Sequence, residues 1–103
     1  MADSYEIGAE RAADGAATIL RVSGELDINA RDDLREALLM ALADGDVVVD
    51  LHDVSFLDSE ALGALIDGFN VSRERGAGFR VLNSHGVVDR VLTVSGAKDL
   101  FDS

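Results

Sequence analysis

An aspartate and a serine stand side by side where one apolar pattern gives way to another. Asp58 and Ser59 follow the run Val47, Val48, Val49 and Leu51 and a polar corner, Asp53-Val54-Ser55-Phe56-Leu57. Directly after them Leu62, Leu65, Ile66 and Phe69 fall at i, i+3, i+4 and i+7, one stripe of a helix. Asp58 is therefore placed as an N-cap, its carboxylate accepting from the free amides of the first turn. Ser59 then takes the first helical position, its hydroxyl beside unpaired N–H groups at the positive end of the helix dipole. Two roles fit a serine there. It can help to cap the helix, as serines at helix starts commonly do. Alternatively its hydroxyl can carry a phosphate, because helix N-termini hold anions well.

Other chemistries find little support. His52 and His85 are the only imidazoles and no ligand cluster accompanies either, so both read as solvated loop residues and no metal site is expected. The chain has no cysteine, which excludes disulfides and thiolate chemistry. A hydrolase built on Ser59 would need a Gly-x-Ser-x-Gly elbow, and a kinase a glycine-rich phosphate loop; neither motif occurs. No enzyme activity and no cofactor are expected. Glu25 and Asp27 stand apart from the other carboxylates because they follow a buried strand and precede a helix. They should lie near Ser59, since parallel strands place their C-terminal ends on one edge, where α/β sheets carry their sites; turn chemistry is the other role open to them.

The 103 residues are expected to form a single domain, and a hydrophobic content of 48% supports a packed core. The longest apolar run, Ala37–Ala43, is too short to span a bilayer, and the start MADSYEIGAER lacks a basic, apolar leader. A cytoplasmic location follows as an expectation. Nine basic residues against twenty acidic ones leave a formal charge of −11. Nucleic acid and anionic membranes would repel such a chain, so a protein partner with basic surface is expected.

The elements that position Asp58 and Ser59 can be read in order. Tyr5–Arg11 and Ala17–Ser23 read as strands joined around the turn pair Asp14-Gly15. Gly24-Glu25-Leu26-Asp27 ends the second. Asn29 is placed to cap a helix over Ala30–Ala43, with Asp32 and Asp33 near its positive end and Leu34, Leu38 and Leu42 along its inner stripe. Val47–Leu51 returns parallel to Ala17–Ser23, because a helix between two strands favours a right-handed crossover. A central helix runs from Ser59 to Arg75, Phe79–Leu82 is a short strand, and Val87, Val88, Val91 and Leu92 mark a helix ending at Gly96. Leu100-Phe101 has the composition to begin a last strand. The fold class is α/β: a mixed sheet of four to five strands packed with helices, in the order β-β-α-β-α-β-α with an optional closing β. Burying Leu62, Leu65, Ile66 and Phe69 contributes roughly 6–12 kcal/mol gross, at about 1.5–3 per side chain, and leaves the first turn free to present a site.

These motifs, taken together, resemble a known family. Gly24-Glu25-Leu26-Asp27, the strand Val47–Leu51, Phe56-Leu57-Asp58-Ser59, and Val88-Asp89-Arg90-Val91-Leu92 through Ser95-Gly96 resemble a STAS domain, and more narrowly the bacterial anti-sigma factor antagonists. The resemblance covers nearly the full length. It implies that Ser59 matches the serine phosphorylated, with ATP, by a partner anti-sigma factor that is a GHKL-type serine kinase. The unphosphorylated form would bind the anti-sigma factor and release the sigma factor, and a PP2C-type phosphatase would reset the cycle. Asp27 matches a position that contacts the kinase. Two residues depart from the usual Asp-Ser-Ser/Thr-Gly: Glu60 places a negative charge beside the acceptor, and Ala61 adds a methyl where a partner backbone would approach.

The expected partner surface is Gly24, Glu25, Asp27, Asp58, Ser59, Glu60 and Gly63. Gly63 lies one turn after Ser59, so a partner helix can lie flat over both; Gly68 instead suits close packing of the helix within the fold. A rival role from another class is a STAS-type subunit of a membrane transport system, which would bind a transporter ATPase with no phosphorylation cycle.

Overall fold

The structure, a computed structural model, describes residues 4–102, so residues 1–3 and 103 lie outside the described part. Two strands, β1 (Tyr5–Arg11) and β2 (Ala17–Leu26), form an antiparallel hairpin. The Asp14-Gly15 pair turns the chain as its chemistry requires. Gly15 adopts a φ of +73°, and the Asp14 carboxylate accepts from the Ala16 N–H at 2.9 Å. Helix α1 (Ile28–Ala43) then crosses to β3 (Asp46–Leu57), and α2 (Ser59–Arg75) crosses to β4 (Phe79–Leu82). Two short helices follow, α3 (Gly86–Val94) and α4 (Ala97–Phe101). The sheet order is β1-β2-β3-β4, antiparallel in its first pair and parallel in the other two. This is the mixed four-stranded α/β arrangement expected from the alternation of patterns.

One face of the sheet carries the core. Leu20, Val22, Val47, Val49 and Leu51 are buried, and so are Leu34 and Leu38 of α1 and Leu62, Leu65 and Phe69 of α2. Gly68 lets the helices close on one another: a Cβ there would meet Leu38 Cδ1 at 3.0 Å and Phe79 Cε2 at 3.3 Å.

Four boundaries differ from the sequence expectations, each for a physical reason. β2 does not stop at Ser23, and β3 does not stop at Leu51. Both continue through register shifts between Arg21 and Ser23 and between Gly24 and Glu25, which break the strict alternation that marks a strand. The polar corner at Asp53–Leu57 is therefore strand. Asp27, not Asn29, caps α1: its carboxylate accepts from the Asn29 N–H at 2.9 Å, so the helix begins two residues earlier. Asp32 and Asp33 consequently lie beyond the first turn, Asp33 receiving the Tyr5 hydroxyl and Asp32 pairing with Arg31. Leu100-Phe101 ends a helix, not a strand. Ala97 and Phe101, four apart, both face inward, and Phe101 packs 5.6 Å from the rings of Phe69 and of Phe79.

Candidate functional site

The parallel pair β2–β3 ends in two equivalent corners. Leu26 and Leu57 are register partners, both buried, and each is followed by a capping aspartate. The Asp58 N–H donates to the Leu26 carbonyl at 3.0 Å, which ties the second corner to the first. Asp58 is extended (φ −95°, ψ 179°), and its Oδ1 accepts from the Glu60 and Ala61 N–H groups, both at 3.0 Å. The cap of α2 is thus complete without Ser59. The Ser59 hydroxyl is exposed and forms no hydrogen bond among the described residues.

Of the seven residues expected at the partner surface, Asp27, Asp58, Ser59 and Glu60 come together at this edge. Glu25 sits one strand position earlier, exposed and paired in register with Phe56. Gly24 has a backbone reason of its own. Its φ is +90°, and a Cβ there would fall on the Ser4 carbonyl, which accepts from the Glu25 N–H at 2.8 Å. Gly63 is half-buried, one turn along α2, and a Cβ built on it meets nothing within 4 Å.

The two departures at positions 60 and 61 look different in three dimensions. Ala61 is fully buried, so its methyl fills the core and meets no partner, contrary to the expectation from sequence. Glu60 is paired with Arg31 of α1, Nη1 to Oε1 at 3.3 Å, and Arg31 also holds Asp32 at 3.1 Å. Asp32, and more weakly Glu60, raise the Arg31 guanidinium above its ordinary value. The charge beside Ser59 is therefore partly offset by a cation twenty-nine positions away in the chain.

Helix α3 supplies the opposite side of the site. Its apolar residues do not form one stripe as expected: Val88 and Leu92 are buried, Val91 is half-buried, and Val87 and Val94 are 56% and 80% exposed. Val87, Val91 and Val94, spaced i, i+4 and i+7, make a second, outward stripe. With Arg90 they face Leu57, Ser59 and Leu62 across a groove of about 520 Å³. Sequence reasoning did not place this groove, nor Arg31 and Arg90; the i, i+4, i+7 valines were its one available signal. Helix α3 is fastened through Asp89, which accepts from Lys98 Nζ at 2.7 Å and from the Ser84 hydroxyl at 2.8 Å. Lys98 first and Ser84 second hold the Asp89 carboxyl below its ordinary value.

The histidines lie elsewhere. His52 is in β3 rather than a loop, and His85 precedes α3 with its Nε2 2.6 Å from the His52 carbonyl. No group of three or more potential ligands is assembled among the described residues.

A mixed sheet whose parallel pair β2–β3 runs into two aspartate-capped helices, with an open serine at one corner, defines the class. Residues 9–103 match the STAS domain family, and the chain belongs to it. Among curated relatives, the anti-sigma-B factor antagonist of Bacillus subtilis (strain 168) is 30% identical over 84 residues, covering 81% of this chain and 77% of the relative. The crystal structure of an anti-sigma factor antagonist from Mycobacterium paratuberculosis superposes with a TM-score of 0.84 at 26% identity, over 95% of this chain and 83% of that one. The anti-sigma factor antagonist SpoIIAA in its unphosphorylated form gives 0.72 at 25% identity, over 88% and 81%.

Proposed function

We propose that this single-domain chain is itself an anti-sigma factor antagonist, and that Ser59 is its switch. Unphosphorylated, it binds an anti-sigma factor in the cytoplasm and frees a sigma factor for transcription. The partner, a GHKL-type serine kinase, transfers the γ-phosphoryl group of ATP to Ser59: the Oγ–P bond forms, the β–γ bridge breaks, ADP leaves, and the hydroxyl proton passes to a base on the kinase. A PP2C-type phosphatase hydrolyses the ester and restores binding. The observation that carries this reading is the Ser59 hydroxyl, exposed and unengaged on a helix whose cap is already complete. The apolar groove beside it and the edge residues Glu25, Asp27, Asp58, Glu60 and Gly63 supply the docking surface, with Gly24 shaping its strand.

The mechanism is electrostatic. A hydroxyl is neutral and small, so a partner closes over it. Phosphate brings about −1.5 to −2 charges to a patch that already holds Asp58 and Glu60. A partner that meets this patch with too few arginines is released. The Arg31–Glu60 pair lowers the like-charge penalty that Glu60 would otherwise impose on phosphorylation. No helix among the described residues is long and apolar enough to cross a membrane.

Incubation with ATP and candidate GHKL kinases, followed by intact-mass measurement of wild type and Ser59→Ala, tests the cycle. A single phosphoryl adduct on wild type alone is expected. Ser59→Asp should bind the anti-sigma factor at least tenfold more weakly than Ser59→Ala. Equal affinities, or capture of a transporter ATPase instead of a kinase from extract, would favour the transport-subunit role.

A further inference from the structure

Arg90 is exposed on α3 and lines the groove that Ser59 borders from α2. No carboxylate pairs with it among the described residues, although the chain has twenty acidic side chains for nine basic ones. The other charged groups around the corner already have partners. Asp58 is held by two amides of α2, Glu60 is tied to Arg31 on α1, and Asp89, next to Arg90, is held by Lys98 and Ser84. Among the described residues, Ser59 therefore shares its groove with one guanidinium that has no carboxylate partner, while Arg31 is committed to Asp32 and Glu60.

We infer that Arg90 is the intramolecular receptor for a phosphate on Ser59, and that this contact draws the arginine across the groove and covers its apolar floor. The inference rests on the proposal that Ser59 is phosphorylated. A guanidinium offers a planar fork of N–H donors that matches two phosphate oxygens, and such charge-assisted pairs are among the stronger polar contacts. The groove between them is lined by Leu57, Leu62, Val87 and Val91, which offer the phosphate no competing side-chain donor. Phosphorylation then acts twice. It adds charge where a partner must approach, and it removes the surface on which the partner rests. An aspartate at position 59 has a shorter side chain and a single charge, so Ser59→Asp leaves the groove more open than phosphoserine does.

The test uses the full chain with phosphoserine installed at position 59 during translation, which requires neither a kinase nor an anti-sigma factor. Phosphorus NMR follows the second phosphate ionisation, ordinarily near 6, in the otherwise wild-type chain, in Arg90→Gln, and in Arg90→Lys; Arg80→Gln on β4 is the control. A receptor arginine favours the dianion, so Arg90→Gln should raise the midpoint by about half a pH unit, Arg90→Lys by less, and Arg80→Gln not at all. The methyl signals of Val87 and Val94 should shift when Ser59 is phosphorylated, and that shift should vanish in Arg90→Gln. Equal midpoints for the wild-type and Arg90→Gln phosphoproteins, or methyl shifts that persist without Arg90, would overturn the inference. Failure of every kinase to modify Ser59 would sink the proposed cycle and leave this contact measurable, so the two fail separately.

Discussion

The corners Leu26-Asp27-Ile28-Asn29-Ala30 and Leu57-Asp58-Ser59-Glu60-Ala61 are built alike and used differently. Each has a buried leucine closing its strand, an aspartate capping the helix, and a fully buried alanine three residues after the cap. They differ in the residue after the cap, which in both corners points outward. At the first it is Ile28, 52% exposed; at the second it is the Ser59 hydroxyl, at the edge of the groove under α3. Because the aspartates do the capping, the next side chain is released from structural duty in both places. What that side chain becomes then depends on its chemistry and on what faces it.

The deepest test of this equivalence is the leucine pair. Leu26→Ala and Leu57→Ala should each cost about 2–5 kcal/mol in urea unfolding, with similar values, since both are fully buried at matched positions. A cost at one corner alone would break the comparison. The caps come next. Asp58 accepts two amide protons and Asp27 one, so Asp58→Ala should cost about 1–2 kcal/mol and Asp27→Ala about 0.5–1, again by urea midpoint. The helix bodies differ in turn, because α2 contains glycines and α1 does not. Gly63→Ala should stabilise by about 0.5–1 kcal/mol, having open space around its new methyl, whereas Gly68→Ala should destabilise through contact with Leu38. Gly63→Leu should not lower the melting temperature, yet should lose the anti-sigma partner if a helix docks there.

The smallest effect concerns pH, a few residues back along the same strands, where Arg21 of β2 meets Asp50 of β3 at 3.0 Å. The Asn83 amide first, then the His52 N–H and Arg21, hold the Asp50 carboxyl below its ordinary value. A lowered folded pKa contributes stability that is present above the unfolded value and lost as pH falls through the folded one. Stability should therefore decline as pH drops below about 4, the unfolded carboxylate value, and Asp50→Asn should flatten part of that decline in acid-unfolding curves.

The second corner was far easier to read from sequence than the first. At α2 the cap, the inner stripe and the start of the helix coincide, so Asp58 and Ser59 stand out. At α1 the cap lies two residues before Asn29, an equally good capping residue, which obscured Asp27. The long ends of β2 and β3 were hidden by register shifts, since a bulge erases the two-residue period on which strand reading depends. The groove was hidden for another reason. Val87 and Val88 look identical in a sequence, and only the packing of α3 decides that one is exposed and the other buried. Arg31 and Arg90 carry no local signal, because their neighbours at the site are distant in the chain.

Asp89, clamped between Lys98 and Ser84, together with the inward Val88 and Leu92, means that α3 is preorganised. A visitor to the groove finds that wall already standing and spends no conformational entropy on erecting it. Its association should thus show the negative heat-capacity change of apolar contact without the larger signature of coupled folding.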